Sequence, residues 1–299
     1  MNDVRSQRGQ ATVLTLVFIT ALLGMAALVL DVGSWFRAQR ETQSAADAAA
    51  LAAAQALPES PGQAGALAAS YVQKNGAGTA TVTFSTKNFA NDTVKVHVAR
   101  DSPGVFAKLF GVDSVSVGAN AVARSGGLAS ARYAAPIAVD VKHPLLACKP
   151  LPCNDPTELD LEKVGPGAFR LLNIDGSRGG TGQKILAGWM LSGYDGYMPV
   201  NRNYFSDSGA KFNSSDMKAA LDLRIGDEVL FPVYDKVTGG GSNLEYHVIG
   251  WVGFIVSSFS GNGSKGIVRG SFVRVIWEGI QGASGSTNDF GVRAIELVE

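Results

Sequence analysis

Residues Ala11 to Leu30, "ATVLTLVFITALLGMAALVL", run for twenty positions without a charge. As a helix rising ~1.5 Å per residue this stretch spans ~30 Å, the thickness of a bilayer hydrocarbon core. Trp35 and Phe36 follow little more than a turn later, where aromatic rings favour the headgroup region. A helix in the core of a soluble domain rarely keeps no polar face over such a length. A cleaved signal peptide has a shorter apolar region followed by an A-x-A site, and Asp31-Val32-Gly33-Ser34 offers none. The run therefore reads as an uncleaved single-span anchor preceded by a short tail, residues 1–9. Arg5 and Arg8 precede it and Arg37 and Arg40 follow it, so the balance of positive charge does not orient it.

Beyond the span the chain changes character without a break. Nine of the twelve residues from Ala45 to Ala56 are alanine, and no proline occurs before Pro58. Alanine is the best helix former, so the helix is expected to continue to about Leu57, some 70 Å from its start at ~1.5 Å per residue. Large apolar residues are sparse there. Such a helix is expected to bury little against a globular core, and it reads in two ways. It is a stiff stalk, or it is a surface that lets another helix approach backbone to backbone. On the second reading Ala46, Ala49, Ala50 and Ala53, spaced i, i+3, i+4, i+7, form the packing face.

The ordered string Arg8-Gly9-Gln10, the apolar span, Asp31-Val32-Gly33, the Arg37 and Arg40 region and Ala45-Ala46-Asp47-Ala48-Ala49-Ala50 resembles the N-terminus of the TadE/TadG-like proteins of Flp (Tad) pilus assembly. The resemblance implies a bacterial membrane protein with a pilin-like helix. It further implies a cytoplasmic N-terminus and an extracytoplasmic C-terminal bulk. One position departs from the wider prepilin pattern. If Gly9 preceded a processing site, the fifth mature residue would be Leu14, where prepilins of this type carry Glu. The departure predicts that the first residues are retained.

Pro58 and Pro61 end the long helix. Gln63 to Lys74 reads as a short helix closed by Asn75-Gly76. Thr79 to Ser85 and Thr93 to Ala99 alternate with period two, the second placing Val94, Val96 and Val98 on one face and His97 on the solvated one. A turn from Phe106 to Phe110, closed by Gly111, leads to a strand from Val115 to Ala123. This α-β-β-α-β order, with its Phe-x-x-x-Phe-Gly turn, also resembles TadG-like proteins. Ser125-Gly126-Gly127 reads as the start of a linker. Strands are then expected at Ile137–Val141, Phe169–Ile174, Glu228–Tyr234, Leu244–Phe259, Gly266–Trp277 and Val292–Val298, with helices at Gln183–Leu191 and Asp216–Leu223. Leu244–Phe259 is apolar on both faces and so reads as a central strand. Its surroundings, "VLFPVYDKVTGGGSNLEYHVIGWVGFIVSSF", are more loosely similar to the C-terminal regions of TadG-like proteins. The fold class is α+β. It comprises a transmembrane, pilin-like helix over 10–57, a small α/β unit over 58–125, a linker over 126–131 and a β-rich domain over 132–299.

Site chemistry is sparse. Formal net charge is zero with no block of like charge, which argues against nucleic acid as a partner. The two cysteines, Cys148 and Cys153, sit in "CKPLPC". In the extracytoplasmic domain that the resemblance implies, they read as a disulfide. The other reading joins them to His143 as half of a metal site, but structural zinc wants four ligands and no second ligand pair stands nearby. The glycine-rich "NIDGSRGGTGQK", Asn173 to Lys184, lacks the Gly-Lys-Ser/Thr of a phosphate loop. It also misses a von Willebrand-type Asp-x-Ser-x-Ser motif at Gly179, and reads as a surface loop. His247, placed on one face with Ile249 and Trp251, reads as a core histidine. No cofactor signature occurs, and no histidine lies in a nucleophile motif.

These readings converge on a membrane-anchored structural component of a Tad pilus. Its partners would be the bilayer and other pilus-assembly or pilin-like proteins, reached through the N-terminal helix. A surface adhesin that borrows the anchor, or an envelope enzyme with an unrecognised site in the β-rich domain, are the alternatives.

Overall fold

A computed structural model describes residues 5–298 except 77, 149–151, 164, 166, 168, 179, 241–242 and 283–287. The chain divides into two compact units. One comprises residues 1–86, 91–124 and 296–299, and the other comprises 87–90 and 125–295.

In the first unit, helix α1 (Arg5–Ala54) is followed by α2 (Pro61–Lys74), β1 (Thr79–Ser85), β2 (Thr93–Pro103), a 3-10 turn (Ala107–Phe110) and the start of β3 (Ser114–Ala131). The three strands pair antiparallel in sequence order. Cross-strand partners Val94–Ala123, Val96–Ala121 and Val98–Ala119 build one apolar face, and all six are buried. α1 lies against α2 and β2. The expectation that the alanine segment buries little against a globular core is corrected here. Ala45, Ala46, Ala49, Ala50, Ala53 and Ala54 are fully buried, and Ala52 and Ala56 nearly so. At ~100° per residue these positions cover more than half of the helix circumference. One side meets α2, through its own small stripe of Ala64, Ala68 and Val72, and another meets the sheet. Wide burial on two sides leaves room only for methyl groups. Upstream the situation reverses: Leu14, Leu16, Val17, Phe18 and Leu23 are exposed, and α1 is long and apolar enough to cross a membrane.

The second unit is built on a sheet of order β5 (Pro156–Asp160), β11 (Lys265–Val273), β10 (Glu245–Asn262), β9 (Glu228–Thr238), β4 (Ile137–Asp140), β6 (Phe169–Leu171), with β8 (Arg202–Phe205) also on β10. β10 is the central strand that its two-sided apolar sequence demands. Val252, Phe254 and Val256 enter a core completed by Leu186 and Met190 of α3 (Gln183–Ser192) and Met217 and Leu221 of α4 (Ser215–Leu223). Tyr246, Val248 and Trp251 face the other way. There they meet Leu128 and Ala131 of β3 and Val292 and Ala294 of β14 (Val292–Leu297). Strand β12 (Val275–Ile276) pairs parallel with β14, while β7 (Met198–Pro199) and β13 (Gly279–Gln281) pair antiparallel with the last residues of β3.

Two further expectations are corrected. Residues 126–131, expected as a linker, are strand, because β3 continues unbroken to Ala131. A Ser-Gly-Gly run favours turns locally, but pairing with β13 and burial of Gly127, Leu128 and Ala131 override that preference. His247 is not in the core. Register irregularities in β10 at His247/Val248 and Val248/Gly250 break the alternation, so Ile249 and Trp251 fall in different cores. His247 is half-buried, and its Nδ1 lies 2.8 Å from Asp235 Oδ1.

The seating of α1 makes a stability prediction. Ala49→Leu adds three carbons where Ala49 has no exposed surface and should destabilise the first unit by about 1–3 kcal/mol. Ser44→Leu on the exposed side should change stability little. Thermal unfolding of the two variants in detergent checks the contrast, and equal midpoints would contradict the packing described.

Candidate functional site

The most organised constellation lies at the end of the apolar run. Asp31 directly follows Leu30, yet its side chain is not in solvent; the residue is 2% exposed. Its carboxylate accepts from three consecutive backbone N–H groups, those of Val105 (3.0 Å), Phe106 (2.9 Å) and Ala107 (2.5 Å). Those amides open the 3-10 turn, and the first groups of any helical turn lack internal partners. A buried carboxylate and three orphan donors thus satisfy one another, and hydrogen bonds to a charged acceptor are the stronger kind. Gly104 makes the approach possible. A Cβ there would lie 2.8 Å from Val112 O and 3.7 Å from the Trp35 ring. Gly111 closes the turn at φ 82°, the left-handed conformation glycine adopts without strain.

Farther along α1, polar side chains tie the helix to the sheet. Gln39 Nε2 donates to Gly118 O (2.7 Å), Gln43 Nε2 to Asn120 O (3.0 Å), and Arg100 Nη2 to Glu41 Oε2 (2.6 Å). Between Asp31 and the alanines, α1 is therefore held at successive heights by a carboxylate, two amides and an ion pair. The four alanines expected as a packing face, Ala46, Ala49, Ala50 and Ala53, all lie inside this seat.

Cys148 and Cys153 are joined by a disulfide, with Cα atoms 5.8 Å apart, although part of the loop between them lies outside the described residues. His143 shares Leu145 with them: Leu145 N donates to His143 Nδ1, while Leu145 O accepts from Cys153 N and lies 3.2 Å from Cys148 Sγ. The histidine is buried, and its Nε2 lies 3.1 Å from Thr157 Oγ1. Its ring meets Phe272 edge to face. His97 is exposed, with Nδ1 3.0 Å from Asn120 Oδ1. In the glycine-rich segment Asp175 and Ser177 are exposed, and Gly179 lies outside the described residues. Its other end is clamped: Asp207 accepts from Thr181 N (2.7 Å) and pairs with Lys211, and Thr181 Oγ1 donates to Asn173 Oδ1 (2.8 Å). Among the described residues no cluster of three metal-ligating side chains occurs. A cleft of about 690 Å³ is lined by His143, Thr157, Glu158 and Arg269. There His143 is held by Thr157, and Glu158 is bound to Arg269 at 2.5 Å.

Comparison with known families follows the first unit. Residues 9–56 match the Flp pilus-assembly TadE/G-like family, and residues 33–123 match the Tad-like Flp pilus-assembly family. Residues 9–123 are thus similar to Tad pilus-assembly proteins, as the N-terminal string and the Phe-x-x-x-Phe-Gly turn lead one to expect. No curated protein and no solved structure matches the chain.

Asp31→Ala leaves three backbone donors without their acceptor. At about 1–3 kcal/mol for a buried unsatisfied group, the turn should detach from α1 while the alanine seat holds. Faster amide exchange at Val105, Phe106 and Ala107, with unchanged protection across β2, is the expected signature. A second measurement concerns His143. Burial pushes its imidazole below the ordinary value of 6.5, against a weaker upward pull from Asp140. As pH falls below 6.5 the unfolded chain takes up the proton first, so stability present above that pH declines toward the folded-state value. The unfolding midpoint of the second unit should fall more between pH 7.5 and 5.5 than that of His143→Gln.

Proposed function

We propose that the chain is a membrane-anchored structural component of a Tad (Flp, type IV-like) pilus or a closely related envelope system. Its N-terminus would lie in the cytoplasm and everything after the span would lie outside. The carrying observation is that the family matches, residues 9–123, fall almost entirely on the one unit into which α1 is seated. The anchor and the folded part are thus a single family-defined body. The uncharged exposed run favours insertion of α1 up to about Leu30, since a lipid-facing helix satisfies all its backbone groups internally. The disulfide favours an extracytoplasmic address for the second unit, because such bonds persist outside the reducing cytosol. The pairing of His143, Glu158 and Arg269 with their neighbours lends no support to an enzymatic reading of the cleft they line. The role is one of anchoring and assembly, with other pilus-system proteins as partners and neither cofactor nor nucleic acid involved.

Topology tests this directly. Protease added to intact, wall-stripped cells should remove a C-terminal tag, and mass spectrometry of unreduced peptides should recover Cys148 linked to Cys153. A fully protected tag together with two free thiols would place the bulk of the chain in the cytoplasm and end this reading.

A further inference from the structure

The turn that Asp31 holds carries an unusual set of side chains. Leu109 and Phe110 are 82% and 80% exposed, Val105 is 67% exposed and Val112 is 41% exposed. On α1, Phe36 is 67% exposed. Lys108 is exposed in the middle of the same turn. The first unit packs none of these apolar side chains tightly, although it buries every valine on the inward face of β2. Exposed large apolar side chains gathered on one short turn mark a surface made for another phase or another molecule.

The geometry decides which. Asp31 is the residue after Leu30, where the uncharged run ends, and its carboxylate fixes the backbone at Val105, Phe106 and Ala107. The turn is therefore pinned to α1 at the height at which the helix leaves the hydrocarbon core. It also joins β2 to β3, so it lies at the end of the sheet nearest the span. Leucine, phenylalanine and valine beside a lysine is the composition of segments that lie in a bilayer interface, with the apolar groups at the acyl boundary and the cation among the headgroups. A partner protein could cover an apolar patch anywhere on the unit. A patch tethered at the level of the headgroups meets lipid with or without a partner.

We propose that Val105–Val112 is a second, interfacial membrane anchor, with Leu109 and Phe110 inserted at the acyl boundary of the leaflet from which α1 emerges. This rests on the reading that α1 spans a bilayer. Two points of attachment, one spanning and one interfacial, would set the height of the first unit above the membrane and prevent it from swinging about α1. Asp31 is then the positioning residue that links the two.

The test uses the full chain, one copy per nanodisc, in phosphatidylethanolamine and phosphatidylglycerol. Cys148 and Cys153 are replaced by serine, and a single cysteine carrying a polarity-sensitive fluorophore is introduced as Leu109→Cys, Leu22→Cys or Ser44→Cys. Lipids brominated on the acyl chain and aqueous iodide serve as opposing quenchers. The expected result is lipid quenching with loss of iodide quenching at positions 22 and 109, and the reverse at 44. Adding Asp31→Ala should restore iodide access at 109 while leaving 22 in lipid. Lipid quenching at 22 with free iodide access at 109 overturns the interfacial anchor and leaves the span intact. Absence of lipid quenching at 22 overturns the span itself. Shielding of 109 from both quenchers only when several copies share a disc assigns the patch to contacts between copies, and also overturns the proposal.

Discussion

A helix that is long and apolar enough to cross a bilayer at one end and enters a folded domain at the other without a break faces two incompatible demands. In lipid it needs large apolar side chains all round; inside the fold it needs to be thin. α1 meets both by changing composition along its length rather than by bending. Exposed Leu14, Val17 and Phe18 give way to Ala45, Ala46, Ala49, Ala50 and Ala53, each fully buried. The small side chains let α2 and β2 approach on different sides, and the valines of β2 supply the bulk that the alanines lack. High helix propensity keeps this stretch rigid even though each alanine contributes little area. The rest of the first unit depends on that close seat, since α1 packs on β2 and α2 packs on β1.

Asp31 stands where the exposed apolar run meets the folded part. A carboxylate there would ordinarily sit in water. Here it caps a turn from a distant part of the sequence, 74 to 76 positions away. Burying a carboxylate is tolerable only where several donors converge on it, and three backbone amides at the start of a 3-10 turn meet that requirement. With Gln39, Gln43 and Arg100 at later heights, the polar contacts fix register along a helix whose alanine surface would otherwise permit sliding. Apolar methyl contacts decide proximity, and the directional hydrogen bonds decide alignment.

Much of the architecture was legible in the sequence because its strongest signals are local. The uncharged run, the Val94-Val96-Val98 alternation and the two-sided apolar Leu244–Phe259 each announce their environment through spacing alone. What escaped depends on remote partners. Short strands such as β5, β7 and β8 carry little hydrophobic pattern, and Pro156 and Pro199 disguise two of them; they are strands because β11, β3 and β10 offer free edges. The Ser125-Gly126-Gly127 run is turn-like by composition and strand by context. His247 was misplaced because an irregular register shifts the parity of β10, and no residue type marks it. At the candidate site, Asp31 was visible as part of a family string, but its role was not. Its partners are backbone amides, which carry no signature in side-chain identity. The alanine face reads from sequence as a stalk or as a seat for another helix, with little burial against a core; its occupants, α2 and β2 of the same chain, follow only from the tertiary structure.

That occupancy constrains how such a chain can assemble with others. The alanine surface of α1 is already filled, so a partner helix cannot use it without dislodging the first unit. Two routes remain along α1. Along the exposed apolar run, side chains placed in lipid would gain nothing by exchanging it for protein unless the contact is closer than lipid allows, so association there would depend on shape rather than hydrophobicity. Outside it, the exposed charged positions of α1, Arg37 and Arg40 among them, offer weak and salt-sensitive contacts of the kind that surface charges supply. A chain built this way commits its best packing surface to its own fold. Strength of any assembly then has to come from many weak contacts or from parts already fixed relative to α1, which lowers the entropy lost on association. The seat of α1 and the carboxylate of Asp31 both serve that end, because they hold the first unit to α1 at several points along the helix.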